Sequence, residues 1–266
     1  MKNFVFKKKY GQNFLSDKNL LKAICTDAGV DKASEVLEIG AGAGSLTEVL
    51  SEFAKKVVSF EIDKDLQEQL LGLGLSNVEF VFEDFMKKSM EDVEKLFEAE
   101  FKVVANLPYY ITTPIIFKLF EESDKVKSLT IMVQKEVAEK IVSKVGDKDY
   151  GIPTVMTAFY GQAKITRIVG RQMFFPAPNV DSAILHIEIE KDKFERVDKK
   201  QFSRFVKACF SMRRKTLLNN LGALYNKEKL KATLGEEVLA RRAESFSLEE
   251  FVELFEKCQI MSNTNK

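Results

Sequence analysis

The sequence has very few of the side chains that most often build metal sites and disulfides. Its 266 residues include one histidine and three cysteines, Cys25, Cys209 and Cys258, and no C-x-x-C pair occurs. A disulfide framework and a zinc site are therefore not expected, whereas a reduced compartment, the cytoplasm, is. The histidine, His186, lies in the strand-like segment SAILHIEIE. A histidine-based triad or histidine-rich metal site is thus strongly disfavoured, and no metal is predicted.

Long apolar runs are also missing. The first residues, MKNFVFKKKYGQNF, carry lysines but no apolar stretch of signal-peptide length. No segment approaches the roughly 20 apolar residues that a membrane helix needs. With 45% hydrophobic residues, the chain can still form a substantial core of one or two domains.

Charge is distributed unevenly along the chain, although the formal net charge is only +1. Residues 191–242 hold fifteen Lys and Arg against six Asp and Glu, and Lys2 and Lys7–Lys9 add further positive charge. This asymmetry favours a polyanionic partner. A solvated helical face is an equally good interpretation of charge alone.

Apolar segments alternate with helical patterns from residue 35 onwards. Strands are predicted at 35–39, 55–62, 78–84, 101–105 and 128–133, each followed by a helix, with Thr113 as a helix cap and Pro114 at the first helical position. Such alternation predicts a parallel sheet covered on both faces. TVMTAFYG, KITRIVG and SAILHIEIE then follow without intervening helices, and we interpret them as late antiparallel strands at one edge of the sheet.

Strand-like segments stop after Glu190, and helical apolar spacing takes over in DKKQFSRFVKACFSMRRKTLLNNL and SLEEFVELFEKC. We therefore predict two domains, a ligand-binding α/β domain over residues 1–190 and a small all-helical domain over residues 191–266.

A glycine-rich loop follows the first predicted strand in VLEIGAGAGSL, residues 36–46. Its glycines, Gly40, Gly42 and Gly44, allow a sharp turn and a close approach to a ligand. A nicotinamide site would show G-x-G-x-x-G with a phosphate at the helix N-terminus. Glu38 beside the loop would repel a pyrophosphate but suits a cationic ligand with an amino-acid end, such as S-adenosylmethionine. Taken alone, the loop is equally consistent with a structural turn.

Acidic residues end the next two predicted strands. Glu61 stands where doubly wound sheets place an acid that accepts from ribose hydroxyls. Asp84 can accept from an adenine amino group, with Ile62 and Phe85 flanking the base. Each acid alone could be a polar strand end, but ligand-type residues at successive strand ends favour a binding site.

The fourth strand ends in the unusual sequence FKVVANLPYY. The exocyclic amine of adenine is a weak nucleophile, and acceptors for its two hydrogens would free its lone pair. The Asn106 side-chain oxygen and the Leu107 carbonyl can supply them, since Pro108 constrains Leu107 and adds no competing donor. Tyr109 can stack on an unpaired or flipped base. As an isolated tetrapeptide, NLPY could also be a simple turn with buried tyrosines, and Tyr110 is expected to pack against the sheet.

With these motifs, the chain resembles the KsgA-type rRNA adenine N6-dimethyltransferases of the KsgA/Erm superfamily. The matching segments keep the family order and span most of the chain: YGQNFL (10–15), VLEIGAGAGSLT (36–47), EID (61–63), ED (83–84), NLPYYI (106–111), FFPAPNVDSA (174–183) and FSMRRKTLLNNL (210–221).

The resemblance implies a Rossmann-like S-adenosylmethionine-dependent methyltransferase with a helical C-terminal domain. Its substrate would be two adjacent adenosines near the 3′ end of small-subunit (16S) rRNA, each dimethylated on the exocyclic amine, and its setting ribosome maturation in the cytoplasm, as a monomer. The implied cofactor contacts are Asn13, Leu15, Gly40, Glu61, Asp84 and Asn106. Tyr109 and Phe175 would flank the target base. Lys7–Lys9, Arg213, Arg214 and Lys215 resemble rRNA-contacting regions.

Three alternatives remain at this point. An Erm-type methyltransferase acting on large-subunit rRNA shares most motifs, and position 107 discriminates only weakly. A DNA adenine methylase fits less well, because D-P-P-Y-like motifs are usual there. A non-catalytic ribosome-assembly factor that binds RNA is disfavoured by intact Asn106, Glu61 and Asp84.

Overall fold

The computed structural model describes residues 14–191 and 193–263, which group into two units. The first unit contains the described chain up to Ala138 together with Ala163–Ile189. The second contains Glu139–Gln162 and the described residues from Glu190 onwards. In the described parts of the chain, no helix has the length and apolar character to cross a membrane.

The first unit is built on a seven-stranded sheet. Its strands are β2 (Glu35–Ile39), β3 (Lys56–Phe60), β4 (Val78–Val81), β5 (Phe101–Asn106), β6 (Val126–Gln134), β7 (Gly161–Val169) and β9 (Ser182–Ile189). They lie in the order β4-β3-β2-β5-β6-β9-β7. The first five strands in that order are parallel, and β9 runs antiparallel to β6. The predicted Rossmann-like sheet with an antiparallel addition at one edge is thereby confirmed.

Helix α1 (Lys18–Asp27) precedes β2. The parallel strands are connected in turn by α2 (Ser45–Phe53), α3 (Gln67–Leu71), α4 (Met90–Glu94) and α5 (Thr112–Glu122), and α6 (Lys135–Ile141) leads into the second unit. All five residues of β2 are buried, as expected for a central strand covered on both faces. A separate two-stranded ribbon joins β1 (Phe14–Leu15) to β8 (Phe174–Phe175).

His186 has a structural role, as its strand context predicts. It lies in β9 directly opposite Thr130 of β6, and its Nδ1 is 2.8 Å from the Thr130 hydroxyl. Burial lowers the pKa of the imidazole. The pairing holds two adjacent strands together.

The second unit is helical. It contains α7 (Ile152–Tyr160), α8 (Lys199–Cys209), α9 (Leu217–Leu221), α10 (Lys227–Leu234), α11 (Glu236–Ala240) and α12 (Leu248–Asn263). Phenylalanines form its core, where Phe159 stacks on Phe202 at 4.4 Å between ring centroids. Phe202 and Phe205 each meet the Phe255 ring at 5.6 Å. Apolar burial by large rings is a substantial source of stability for so small a unit.

Two local predictions are wrong. TVMTAFYG is helix α7 and not a strand. The periodicity of a short, wholly apolar run cannot distinguish a buried helix from a strand, and the preceding Gly151 and Pro153 are the start signals that decide it. Helix α5 begins at Thr112, so Thr113 is inside the helix and not its cap, and Pro114 is the third helical residue and not the first.

The chain passes between the two units after Ala138, Gln162 and Ile189. A division at residue 190 alone has a single crossing, so it assigns α7 to the α/β domain, whereas α7 lies in the helical unit. The misassigned strand explains this difference, because a strand at 154–161 would have belonged to the sheet. The functional division into a catalytic domain and an rRNA-contacting domain remains a prediction.

Candidate active site

The carboxyl ends of four parallel strands border a cavity of about 310 Å³ in the first unit. Asp84 follows β4, Glu61 follows β3, Gly40 follows β2 and Asn106 ends β5, and all four residues line the cavity. Because the spatial order is β4-β3-β2-β5, these residues follow one another along one edge of the sheet. The structure therefore brings together the four positions that the strand pattern singles out.

The glycine-rich loop turns tightly between β2 and α2. Gly40 has φ +84°, which L side chains rarely adopt, and a Cβ there would lie 3.8 Å from the Asn106 carbonyl oxygen. Gly44 has φ +87°, and a Cβ there would lie 2.7 Å from a Leu73 methyl carbon. The carbonyl oxygen of Phe60 accepts hydrogen bonds from the Gly40 and Ala41 amides at 2.8 and 3.2 Å. The loop is thus held against β3 on one side and the end of β5 on the other.

Glu61 is a buried carboxylate fixed by backbone amides. Oε2 accepts from the Gly42 amide and Oε1 from the Asp63 amide, both at 2.8 Å. Burial raises the pKa of the carboxyl, and the two amide hydrogen bonds oppose that shift. Each carboxylate oxygen can accept more than one hydrogen bond, so Glu61 retains acceptor capacity for a pair of hydroxyls.

Asp84, Ile62 and Phe85 line the cavity beside Glu61. Asp84 Oδ1 accepts from the Met86 amide at 3.0 Å. Phe85 is buried, with its ring edge-on to Phe60 at 5.5 Å, whereas Ile62 is 42% exposed. A carboxylate between an aliphatic and an aromatic side chain can take a flat heterocycle that carries an amino group.

Glu38 does not lie where the sequence interpretation needs it. Its carboxylate is completely buried, and Oε2 accepts from the hydroxyls of Thr47 at 2.6 Å and Ser59 at 2.5 Å. It is absent from the cavity lining, and burial raises its pKa to about 7. The idea that Glu38 faces a cationic ligand is therefore wrong. It ties β2 to α2 and β3, because its side chain points into the packed layer and not towards the cavity.

The NLPYY segment forms the end of β5 and a short 3-10 turn, Tyr109–Ile111. Leu107 is buried, and the Pro108 carbonyl accepts from the Ile111 amide at 3.2 Å and the Thr112 hydroxyl at 3.3 Å. All five residues from Asn106 to Tyr110 line the cavity. The turn therefore presents the segment to the cavity.

The two tyrosines of this segment differ. The Tyr109 hydroxyl lies 2.6 Å from the Ser182 hydroxyl, and burial raises the pKa of the phenol. Tyr110 is 61% exposed, so the expectation that it packs against the sheet is wrong. The 3-10 turn rotates successive side chains away from one another, which leaves Tyr110 on the open side.

Of the other predicted contact residues, some line the cavity and others do not. Leu15 of β1 is buried and lines the cavity, whereas Asn13 and Lys7–Lys9 lie outside the described residues. Phe175 of β8 is 68% exposed and is not among the lining residues. In the β1–β8 ribbon, Phe174 pairs with the cavity residue Leu15. Phe175 is the next residue along β8.

The basic triplet Arg213, Arg214 and Lys215 lies in the second unit, between α8 and α9, and is exposed. The Arg213 guanidinium donates to the Lys148 carbonyl. Buried Asn220 holds the preceding turn, because its Oδ1 accepts from the Met212 amide at 3.1 Å and its Nδ2 donates to the Cys209 carbonyl at 2.5 Å. Arg213 therefore has a structural hydrogen bond within the second unit, although its side chain is exposed.

Sequence reasoning missed several cavity residues, notably Leu21, Ile24, Ile115 and Met132. They are ordinary apolar residues of helices and strands, and nothing in the sequence separates them from core residues. It also missed the partner of Tyr109, although Ser182 lies within the FFPAPNVDSA segment.

A parallel sheet of this order, with a glycine loop and acids along its carboxyl edge, defines a Rossmann-like S-adenosylmethionine-dependent methyltransferase.

A model of the family described as Ribosomal RNA adenine dimethylase matches residues 3–259, so the chain belongs to this family. It is an enzyme, an S-adenosylmethionine-dependent rRNA adenine dimethyltransferase. The family match agrees with the resemblance found in the motifs.

Relatives named Ribosomal RNA small subunit methyltransferase A are similar over almost the whole chain. The protein of Clostridioides difficile strain 630 is 40% identical over 94% of this chain and 89% of its own length. That of Bacillus licheniformis is 42% identical over 96% and 91%. That of Fusobacterium nucleatum subsp. nucleatum is 42% identical over 94% and 97%.

Two solved structures share the fold over nearly the whole chain. A dimethyladenosine transferase from Plasmodium falciparum has a TM-score of 0.79 at 26% identity, over 94% of this chain and 98% of that one. The 23S rRNA methyltransferase ErmE has a TM-score of 0.70 at 27% identity, over 93% and 100%.

Proposed function

We propose that the substrate is small-subunit (16S) rRNA, in which the enzyme dimethylates two adjacent adenosines near the 3′ end. Supporting this choice, relatives at 40–42% identity carry small-subunit names, whereas the 23S rRNA enzyme ErmE is 27% identical. The observation that carries the chemistry is the position of Asn106–Tyr109 on the cavity, beside Gly40.

The cavity suits S-adenosylmethionine by the chemistry of its donor set. We assign the cofactor contacts to Asn13, Leu15, Gly40, Glu61, Ile62, Asp84, Phe85 and Asn106. Glu61 retains acceptor capacity for ribose hydroxyls, and Asp84 accepts from the adenine amine between Ile62 and Phe85. When bound, the cofactor supplies a methyl group on a cationic sulfur.

Asn106 and Leu107 make the target amine nucleophilic. The Asn106 side-chain oxygen and the Leu107 carbonyl accept hydrogen bonds from its two N–H groups, which frees the nitrogen lone pair. Pro108, with φ −59° and ψ 128°, holds the chain extended after Leu107. Tyr109 stacks on the flipped adenine. The amine releases its proton to water once it has become cationic, so no general base on the protein is required.

The same acceptors account for two successive transfers. A monomethylated amine still has one hydrogen to donate, so one acceptor bond remains for the second step. The dimethylated amine has none and loses both bonds, which favours its release.

The basic surface of the second unit would provide the contacts to RNA phosphates. Arg214 and Lys215 are exposed, with no ion pair to another described residue. Arg213 shares its guanidinium with the Lys148 carbonyl. Phosphate contacts supply affinity without sequence readout, so the choice of adenine belongs to the cavity. The proposal includes a cytoplasmic monomer that acts in maturation of the small subunit.

The test is methyl transfer from labelled S-adenosylmethionine to undermethylated small and large ribosomal particles, with nucleosides identified by mass spectrometry. We expect dimethyladenosine in small-subunit RNA only. Dimethyladenosine confined to large-subunit RNA would instead support an Erm-type target. Absence of transfer to either particle would support a binding role without catalysis.

A further inference from the structure

A single hydrogen bond connects two segments of the first unit that are distant in sequence. The Tyr109 hydroxyl and the Ser182 hydroxyl are 2.6 Å apart and 73 positions apart in the chain. Ser182 is completely buried. The bond therefore joins a residue of the cavity wall to a residue of the packed sheet.

Ser182 is fixed by strand pairing and by the hydrogen bonds of the residue before it. It is the first residue of β9, where it pairs with Gln134 of β6. The carbonyl of the preceding residue, Asp181, accepts from the Lys135 amide at 3.0 Å, and its carboxylate accepts from the Arg171 amide at 3.0 Å. Ser182 can therefore serve as a fixed anchor point.

Tyr109 needs such an anchor. It opens a 3-10 turn on the cavity wall and is only partly buried, so packing restrains one side of its ring. A tyrosine side chain has two rotatable torsions, and a hydrogen bond at the hydroxyl fixes χ1 and with it the place of the ring. The torsion χ2 turns the ring about an axis through the hydroxyl oxygen, so the bond restrains χ2 only through the preference of the phenolic O–H for the ring plane. Stacking on a base depends on the place of the ring as well as on its plane, since the two faces must overlap.

We propose that Ser182 is a positioning residue, whose hydroxyl holds the Tyr109 ring at the place where it stacks on the target adenine. The inference rests on the proposed function of Tyr109 as the stacking residue. It also gives the FFPAPNVDSA segment a second role, because the segment that carries Phe175 also carries, near its end, the residue that orients Tyr109.

Two substitutions remove the same hydrogen bond from opposite sides, Ser182→Ala and Tyr109→Phe. We expect each to lower kcat by roughly five- to tenfold, the loss that corresponds to one neutral hydrogen bond. The KM for RNA should not change, because phosphate contacts dominate RNA affinity. The double variant should be no slower than the slower single variant, as expected when both changes remove one interaction.

A second measurement follows stacking directly. 2-Aminopurine in place of the target adenine loses fluorescence when it stacks on an aromatic ring. We expect strong quenching with the wild-type protein, weaker quenching with Ser182→Ala and Tyr109→Phe, and the weakest with Tyr109→Ala. S-adenosylmethionine affinity, measured by calorimetry, should be equal in all of these proteins.

Tyr150→Phe is the matched control. The Tyr150 hydroxyl donates to the Phe246 carbonyl at 2.8 Å, a buried hydrogen bond within the second unit. Its removal should lower the melting temperature and leave kcat and quenching unchanged.

The possible results separate the positioning role from the proposed function. Additive losses in the double variant, or wild-type kcat and quenching in both single variants, would overturn the positioning role. Should Ser182→Ala fail to fold, Tyr109→Phe still removes the bond and decides the question. Equal quenching by wild type and Tyr109→Ala would refute stacking by Tyr109 itself. Absence of methyl transfer by the wild type would refute the proposed function, while the fluorescence series still reports on ring position.

Discussion

The sheet edge of the first unit and the basic segment of the second unit differ in burial, and each suits the different role proposed for it. At the sheet edge, Glu61 is buried and held by two backbone amides. In the second unit, Arg214 and Lys215 are exposed on a turn. Methyl transfer needs acceptors held in one geometry, whereas binding a flexible polyanion needs only positive charge within reach. Loss of a group should therefore affect methyl transfer or cofactor binding in the first region and rRNA affinity in the second.

The largest effect should follow from Asn106→Ala. Removal of the side-chain acceptor leaves the target amine with one partner, and we expect methyl transfer to fall by roughly 10²- to 10³-fold, as when one preorganised polar group is removed from an active site. RNA affinity and the far-ultraviolet circular dichroism spectrum should match the wild type. Activity within about threefold of the wild type would contradict the role of Asn106, because the expected loss is far larger.

Glu61→Gln should cause the next largest effect. A glutamine amide would direct hydrogens towards the Gly42 or the Asp63 amide, leaving two donors face to face. We expect S-adenosylmethionine to bind roughly 10- to 100-fold more weakly by calorimetry, with one buried polar group unpaired. Glu38→Gln is the matched control, since its Oε1 has no partner and Oε2 can be kept for Thr47 and Ser59. Equal losses in both variants would erase the distinction between the two acids.

Charge reversal at Arg214 and Lys215 should lower the affinity for rRNA and leave cofactor binding unchanged. We expect weaker rRNA binding and a shallower dependence of affinity on salt, with the logarithmic slope reduced by roughly 0.7 to 0.9 for each phosphate that the protein no longer neutralises. S-adenosylmethionine binding should be unchanged. Unchanged rRNA binding at moderate salt would remove these residues from the RNA interface.

Lys257→Glu is a suitable control for this charge reversal, because Lys257 is paired with Glu253 on α12 at 2.6 Å. It should leave rRNA affinity near the wild-type value. Arg213 is best left unchanged in the test variant, since its reversal would also break its bond to the Lys148 carbonyl. A loss of affinity in the variant then reports on charge and not on the local fold.

The smallest expected effect is on the pH dependence of stability, and it comes from the buried carboxyl of Glu38. Burial raises the pKa of Glu38 from 4.5 to about 7, so the folded state holds a proton that the unfolded state releases. Its contribution to stability is full below pH 4.5 and is lost as the pH rises towards 7. Glu38→Gln removes this dependence, and the difference in melting temperature between the two proteins should change across that window.

The difference curve is needed because other groups titrate nearby. Glu61 and Cys25 also carry charge near Glu38 in their ionised forms, and burial raises the pKa of both. Burial lowers the pKa of His186, whose contribution therefore has the opposite slope. A difference curve that is flat between pH 4.5 and 7 would show that Glu38 has an ordinary pKa.

Much of the sheet edge can be predicted from the sequence because strand ends are local features. A run such as EVLEI followed by GAGAG marks both a strand and the turn after it. Once the strands are parallel, their carboxyl ends meet at one edge, and Gly40, Glu61, Asp84 and Asn106 have to be neighbours. That inference requires no knowledge of long-range side-chain contacts.

Predictions that depended on the orientation of a side chain were less successful. Glu38 and Glu61 are both acids beside the glycine loop, yet Glu38 is buried away from the cavity whereas Glu61 lines it. Alternation along β2 directs Glu38 into a packed layer, and only the partners Thr47 and Ser59 show that it is a polar group within the core. Apolar composition likewise does not show that Tyr110 is exposed, or that TVMTAFYG is a helix and not a strand.

The sequence by itself determined the parallel α/β architecture, the glycine loop and the order of polar residues along the strand ends, because periodicity and turn chemistry are written in consecutive residues. Only the tertiary structure decided that Ser182 meets Tyr109, that Glu38 is buried and that residues 139–162 join the helical unit. These facts depend on contacts between segments far apart in the chain. Such contacts are selected by packing, and no local pattern records them.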